Sequence, residues 1–138
     1  MSEPTLHHLG FVVASIAESV ERFTRAIRGA WDGQIIHDPV HTVHATFLQQ
    51  PSPAEALIEL VEPDGPHSHV AAFLNRGGGL HHLCYEVDSL EEQLEYIRSL
   101  GAVVTQKPVP AMAFDGRRVA WIYTRDKLLL EYLERGRP

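Results

Sequence analysis

The sequence predicts an α+β fold made of two copies of one βαβββ unit, and three observations carry that expectation. LHHLGFVV at residues 6–13 returns as LHHLCYEV at residues 80–87, identical at five of eight positions with an offset of 74. Each copy runs into an S-x-x-E capping box, Ser15 to Glu18 and Ser89 to Glu92, of the kind that opens a helix. Three short β-like runs follow each helix.

The elements can be justified in order. Side chains alternate across a strand, so Leu9, Phe11 and Val13 share one face of the first strand and His8, Gly10 and Val12 the other. The larger apolar set should meet the helix. Within the helices, Ile16, Val20 and Phe23 correspond to Leu90, Leu94 and Ile97, spaced so that each helix carries one apolar stripe for a sheet. The later runs are WDGQIIHD, VHATFLQ and ALIELVE, then AVVTQK, RRVAWIYT and LLLEYLE. The last of each set align at an offset of 72, with Leu57-Ile58-Glu59-Leu60 opposite Leu129-Leu130-Glu131-Tyr132. Between the halves, EPDGPHSHVAAFLNRGGG reads as a turn, a short helix from about Ser68 to Asn75 and a glycine linker at Gly77, Gly78 and Gly79. The expectation is one domain over 1–138, with repeat units at about 5–62 and 79–134 joined by a short helical linker.

Composition narrows the class. Hydrophobic residues at 44% and charged residues at 22% are those of a globular chain. The formal charge of −6 argues against nonspecific nucleic-acid binding, which needs a cationic face. Cys84 is the single cysteine, so an internal disulfide and a cysteine zinc cluster are excluded. MSEPTLHH lacks the basic start of a signal peptide, and no apolar run reaches membrane-span length, so the expected location is the cytoplasm.

Four residues do not suit an apolar core. The alternation places His8 and His82 on the faces turned away from the helices, and Glu59 and Glu131 each interrupt an apolar strand face. An ionised carboxylate in such a place costs several kcal/mol unless it is paired. Two neutral imidazoles and two carboxylates balance one divalent cation, and their mixed nitrogen and oxygen character suits Ni, Co, Mn, Fe or Zn. Recurrence of the same His and Glu in both halves is what turns them into a set. His8, Glu59, His82 and Glu131 are therefore the expected ligands. His7 and His81 should point the other way, and His37, His41, His67 and His69 read as exposed loop residues.

With these residues in place, the chain resembles the vicinal-oxygen-chelate, or glyoxalase/bleomycin-resistance, superfamily along essentially its whole length. ELVEPDGPHSHVAAFLNRGGGLHHLCYEVDSL is similar to the central stretch of methylmalonyl-CoA epimerases, and the His, Glu, His, Glu set is also similar to that of bacterial glyoxalase I. The resemblance implies a curved mixed sheet around a metal-binding cavity, a homodimer, and His8, Glu59, His82 and Glu131 as ligands of one divalent ion. It implies an enzyme, an isomerase or epimerase that removes a proton next to a carbonyl or thioester, with Glu131 as first base and Glu59 serving from the other side. The substrate class would be an acyl-CoA or a glutathione adduct. The alternatives are a glyoxalase I-like lyase acting on a glutathione hemithioacetal and a noncatalytic small-molecule-binding resistance protein. An epimerase needs proton exchange on both faces of its substrate. VHATFLQQ, where a second carboxylate is expected, offers His44 instead. Arg117, Arg118 and Lys107 are the cations that could meet an anionic substrate tail.

Overall fold

The computed structural model describes residues 3–136. Its elements are β1 (Thr5–Val12), α1 (Ile16–Ile27), β2 (Ala30–Trp31), β3 (Ile36–Asp38), β4 (Val43–Gln49), β5 (Leu57–Pro63), α2 (Ala71–Asn75), β6 (Gly79–Val87), α3 (Leu90–Ser99), β7 (Val103–Pro110), β8 (Arg118–Tyr123) and β9 (Leu129–Glu134). The class is α+β with mixed strand pairing, as the repeat predicts. One expected strand is divided: WDGQIIHD yields β2 and β3, parted around Gly33, whose φ of +82° takes the chain out of extended geometry. The chain forms two compact units, residues 8–81 and the stretch from His82 onward together with the N-terminal residues up to His7.

In the unit of residues 8–81 the strands lie in the order β2-β4-β5-β1, with β3 also pairing β4. β1 and β5 run parallel, and the β2, β3 and β5 pairings with β4 are antiparallel. On one face, Ile16 and Val20 of α1 pack with Leu48, Ile58 and Leu60, and with Leu9, Phe11 and Val13 of the first strand segment. This is the face that alternation assigns to the helix. On the other, Val12, Val43 and Val61 pack with Val70, Phe73 and Leu74 in and beside α2. Helix α2 starts at Ala71 rather than Ser68, because the buried Ser68 hydroxyl turns to the loop, accepting from the Val70 N–H at 3.3 Å. The glycine run has more to do than link. Gly77, Gly78 and Gly79 all have positive φ, and a Cβ on Gly78 would stand 2.8 Å from the Val12 carbonyl oxygen.

In the second unit the order is β6-β9-β8-β7, with β6 parallel to β9 and the other pairs antiparallel. Leu90 and Leu94 of α3 pack with Val87, Ala120, Ile122, Leu130 and Tyr132, and Ile97 joins them. Each fully buried leucine of this kind contributes roughly 1.5–3 kcal/mol. Gln93 is buried on the same helix and hydrogen-bonds Tyr132, whose hydroxyl is pushed above its ordinary pKa, chiefly by burial. Both helices open as the capping boxes predict. Ser15 Oγ accepts from the Glu18 N–H and Ser89 Oγ from the Glu92 N–H, each at 3.2 Å.

Candidate functional site

Each unit brings one predicted histidine to one predicted glutamate. In residues 8–81, β1 runs parallel to β5 with Gly10 across from Glu59. His8 is two residues earlier and so shares the Glu59 face. His8 is 0% and Glu59 7% exposed, and His8 Nε2 stands 3.3 Å from Glu59 Oε1. Phe47, directly across from Glu59 on β4, meets the His8 ring edge-on with centroids 5.4 Å apart.

The second unit repeats the arrangement. Cys84 pairs with Glu131 across β6 and β9, so His82, two residues before Cys84, lies on the Glu131 face. His82 is 3% and Glu131 5% exposed, with His82 Nε2 3.5 Å from Glu131 Oε1. Trp121 is across from Glu131 on β8 and presses edge-on against the His82 ring at 4.7 Å between centroids. Cys84 is fully buried beside this pair.

These pairs fit a metal ion. A charge-assisted N–H to carboxylate bond closes to about 2.7–2.9 Å, and both pairs are longer. Two ligand atoms each about 2.1 Å from one ion stand about 3.0–3.4 Å apart for octahedral to tetrahedral angles. The observed separations lie at the upper end of that interval and just beyond it. Buried strand carboxylates next to imidazole nitrogens also supply the donor chemistry that a divalent cation of the first transition row takes.

His44 is not brought to this centre. The β4–β5 register sets Phe47 against Glu59 and His44 against Glu62, three residues along each strand, so His44 occupies the opposite face. On the Glu59 face of β4 the residues are Val43, Ala45, Phe47 and Gln49, none of which is a carboxylate or an imidazole. Asp38 pairs with Val43 and belongs to that face. It holds the His41 ring, Oδ2 to Nδ1 at 2.8 Å, and accepts the Val40 and His41 N–H groups on Oδ1. His41 is thus a largely buried, bonded side chain rather than an exposed loop residue, and His37 sits in β3. His67 and His69 are exposed, as expected. His7 and His81 meet aromatic rings edge-on, Phe114 at 5.4 Å and Phe73 at 4.9 Å.

The arginines proposed for an anionic tail are engaged elsewhere. Arg117 Nη1 donates to Glu86 Oε2 at 3.1 Å. Arg118 binds Glu134 at 3.0 Å and Glu91 at 2.8 Å, and these hydrogen bonds, Glu134 first, hold its guanidinium far above its ordinary pKa. Glu134 and Glu91 are both held below their ordinary value, each chiefly by its hydrogen bond from Arg118. Lys107 is exposed on β7. Hydrophobic period could not reveal the Arg118 network, because its members come from α3, β8 and β9.

Comparison with known proteins gives the family and the fold. The chain is 29% identical over 123 residues to the ethylmalonyl-CoA/methylmalonyl-CoA epimerase of Cereibacter sphaeroides, covering 88% of this chain and 89% of that protein. It is 33% identical over 87 residues to the mitochondrial methylmalonyl-CoA epimerase of Bos taurus, covering 62% of this chain and 47% of that longer protein. The crystal structure of methylmalonyl-CoA epimerase from Mycobacterium tuberculosis has the same fold, with a TM-score of 0.82 at 24% identity over 96% of this chain and 88% of that one. The family model of the glyoxalase/bleomycin resistance protein/dioxygenase superfamily matches residues 7–121, and the chain belongs to that superfamily.

Proposed function

We propose that this chain is a divalent-metal-dependent epimerase that removes and returns the proton on the carbon next to a thioester carbonyl, with an acyl-CoA of the methylmalonyl type as substrate. The observation that carries the reading is the duplicated pair: a buried strand histidine beside a buried strand glutamate, once in each unit, at 3.3 and 3.5 Å. Similarity to the Cereibacter sphaeroides epimerase over most of both chains supports the substrate class.

In this reading His8, Glu59, His82 and Glu131 together hold one ion, and the chain acts as a cytoplasmic homodimer. When bound, a divalent cation lowers the cost of negative charge on the carbonyl oxygen as the carbon gives up its proton. The chain's own residues do the rest. Glu131 Oε2 is the atom assigned to take and return the proton. His82, braced by Trp121, fixes the direction of the Glu131 carboxylate, and His8, braced by Phe47, does the same for Glu59. Glu59 is the second carboxylate available for proton transfer. The apolar side chains of Val43, Ala45 and Phe47 keep water from competing for the carbanion on that face.

The test is solvent exchange. Methylmalonyl-CoA incubated with the chain and Co²⁺ in deuterium oxide should gain deuterium at the carbon between the carbonyls, read by mass spectrometry, and a single epimer at that carbon should become a mixture of both. Absence of exchange with each of Co²⁺, Ni²⁺, Mn²⁺ and Zn²⁺, together with turnover of the methylglyoxal–glutathione hemithioacetal, would replace the epimerase with a lyase.

A further inference from the structure

A second cluster with ligating chemistry lies on the face of β4 opposite Glu59. His37 on β3 stands directly across from His44 on β4. Cross-strand neighbours of this kind carry Cβ atoms about 5 Å apart, close enough for two side chains to reach one point. Their rings stack with centroids 4.6 Å apart and 20° between planes. Asp64, in the turn just after β5, sets Oδ2 2.7 Å from His37 Nε2. The Asp64 N–H donates to the Thr42 carbonyl oxygen at 2.9 Å, which holds this turn against the start of β4. One ligand atom from each of His37, His44 and Asp64 lies within 4.8 Å of the other two. His44 Nδ1 is buried with no hydrogen-bond partner, an unfavourable state that ligation or a ring turn would relieve.

We propose that His37, His44 and Asp64 form a transition-metal site of the zinc class, independent of the His8–Glu59 pair on the other face of the same sheet. Two imidazoles and one carboxylate are a donor set that Zn²⁺, Ni²⁺ and Cu²⁺ accept. The His37 and Asp64 side chains are 51% and 42% exposed, so a fourth position opens to water. Turning the His37 ring out of the stack is needed to bring both imidazoles edge-on to a shared ion, and its exposure leaves it room to do so. Glu62, across from His44, adds a negative charge at this end of the sheet while its Oε1 accepts the Ile16 N–H at 2.8 Å. The cluster as a whole attracts a cation.

Calorimetric titration of Zn²⁺ into the full chain tests the assignment, with elemental analysis of the dialysed protein beside it. Wild type should bind two ions per chain. Glu131→Gln and His82→Ala should keep the site described here, whereas His37→Ala and Asp64→Asn should weaken it by at least roughly tenfold, since even loss of a ligand's outer partner costs about 10- to 100-fold. Because His37 and Asp64 are half-exposed, both variants should melt cooperatively like wild type. One ion in wild type that His37→Ala leaves in place overturns the proposal without touching the His/Glu reading. One ion that His37→Ala removes and Glu131→Gln and His82→Ala retain upholds the proposal and sinks the other.

Discussion

At the scale of single residues, Glu131 and Glu59 separate ligation from proton transfer. Glu131→Gln keeps an oxygen ligand and loses the base, so solvent exchange of the substrate proton should fall by about 10²–10⁴-fold, the range for a positioned general base. Exchange at the wild-type rate in Glu131→Gln would remove Glu131 from that role. The two buried His–Glu pairs were legible because strand alternation needs only the local sequence: His8 and His82 each sit one step out of phase with a helix-facing set. His44 was not legible in that way. Its face depends on how β4 registers against β5, and that register is set by the connection of residues 50–56, for which the second half offers no sequence match. A slip of one residue would have turned His44 to the Glu59 face of the sheet.

At the scale of elements, the helices and their caps could be read directly, because S-x-x-E and a 3.6-residue stripe are local signals. The glycine run could not. Three glycines read as slack, whereas Gly78 combines a φ of +68° with a Cβ position 2.8 Å from the Val12 oxygen. Gly78→Ala should destabilise the chain by about 1–3 kcal/mol, the cost of a strained backbone position, read from urea unfolding. A shift below about 0.5 kcal/mol, the spread of ordinary surface substitutions, would show that the backbone adapts there. The Arg118 network ties α3 to β8 and β9 and responds to pH. The Glu91 and Glu134 carboxyls are depressed below their ordinary 4.5 in the folded chain, so their contribution is complete above that pH. It declines as pH falls from about 4.5 through the folded values. Arg118→Gln should therefore lower the melting temperature most at neutral pH and converge on wild type in acid. A difference constant down to pH 3 would contradict this.

For the whole molecule, the proposed ligation would make folding and ion binding one equilibrium. An ion that binds the folded chain alone stabilises it by about 2.7 kcal/mol at a hundred times its dissociation constant. Chelator should thus lower the melting temperature of wild type, and much less that of a His82→Ala, His37→Ala double variant. Equal shifts would mean that the ions bind elsewhere. The α+β class and the paired modules were legible in the 74-residue repeat, while the split of WDGQIIHD was hidden, since β2 and β3 are two and three residues long. The ring contact between His82 and Trp121 also gives the molecule a built-in optical probe. Trp31 is 37% exposed and can be replaced by Phe, which leaves Trp121 as the one indole emitter. In that variant a paramagnetic Ni²⁺ or Co²⁺ ion settling on His82 should quench emission in step with occupancy. Ion binding at His82 could then be followed by light without a chromophoric reporter.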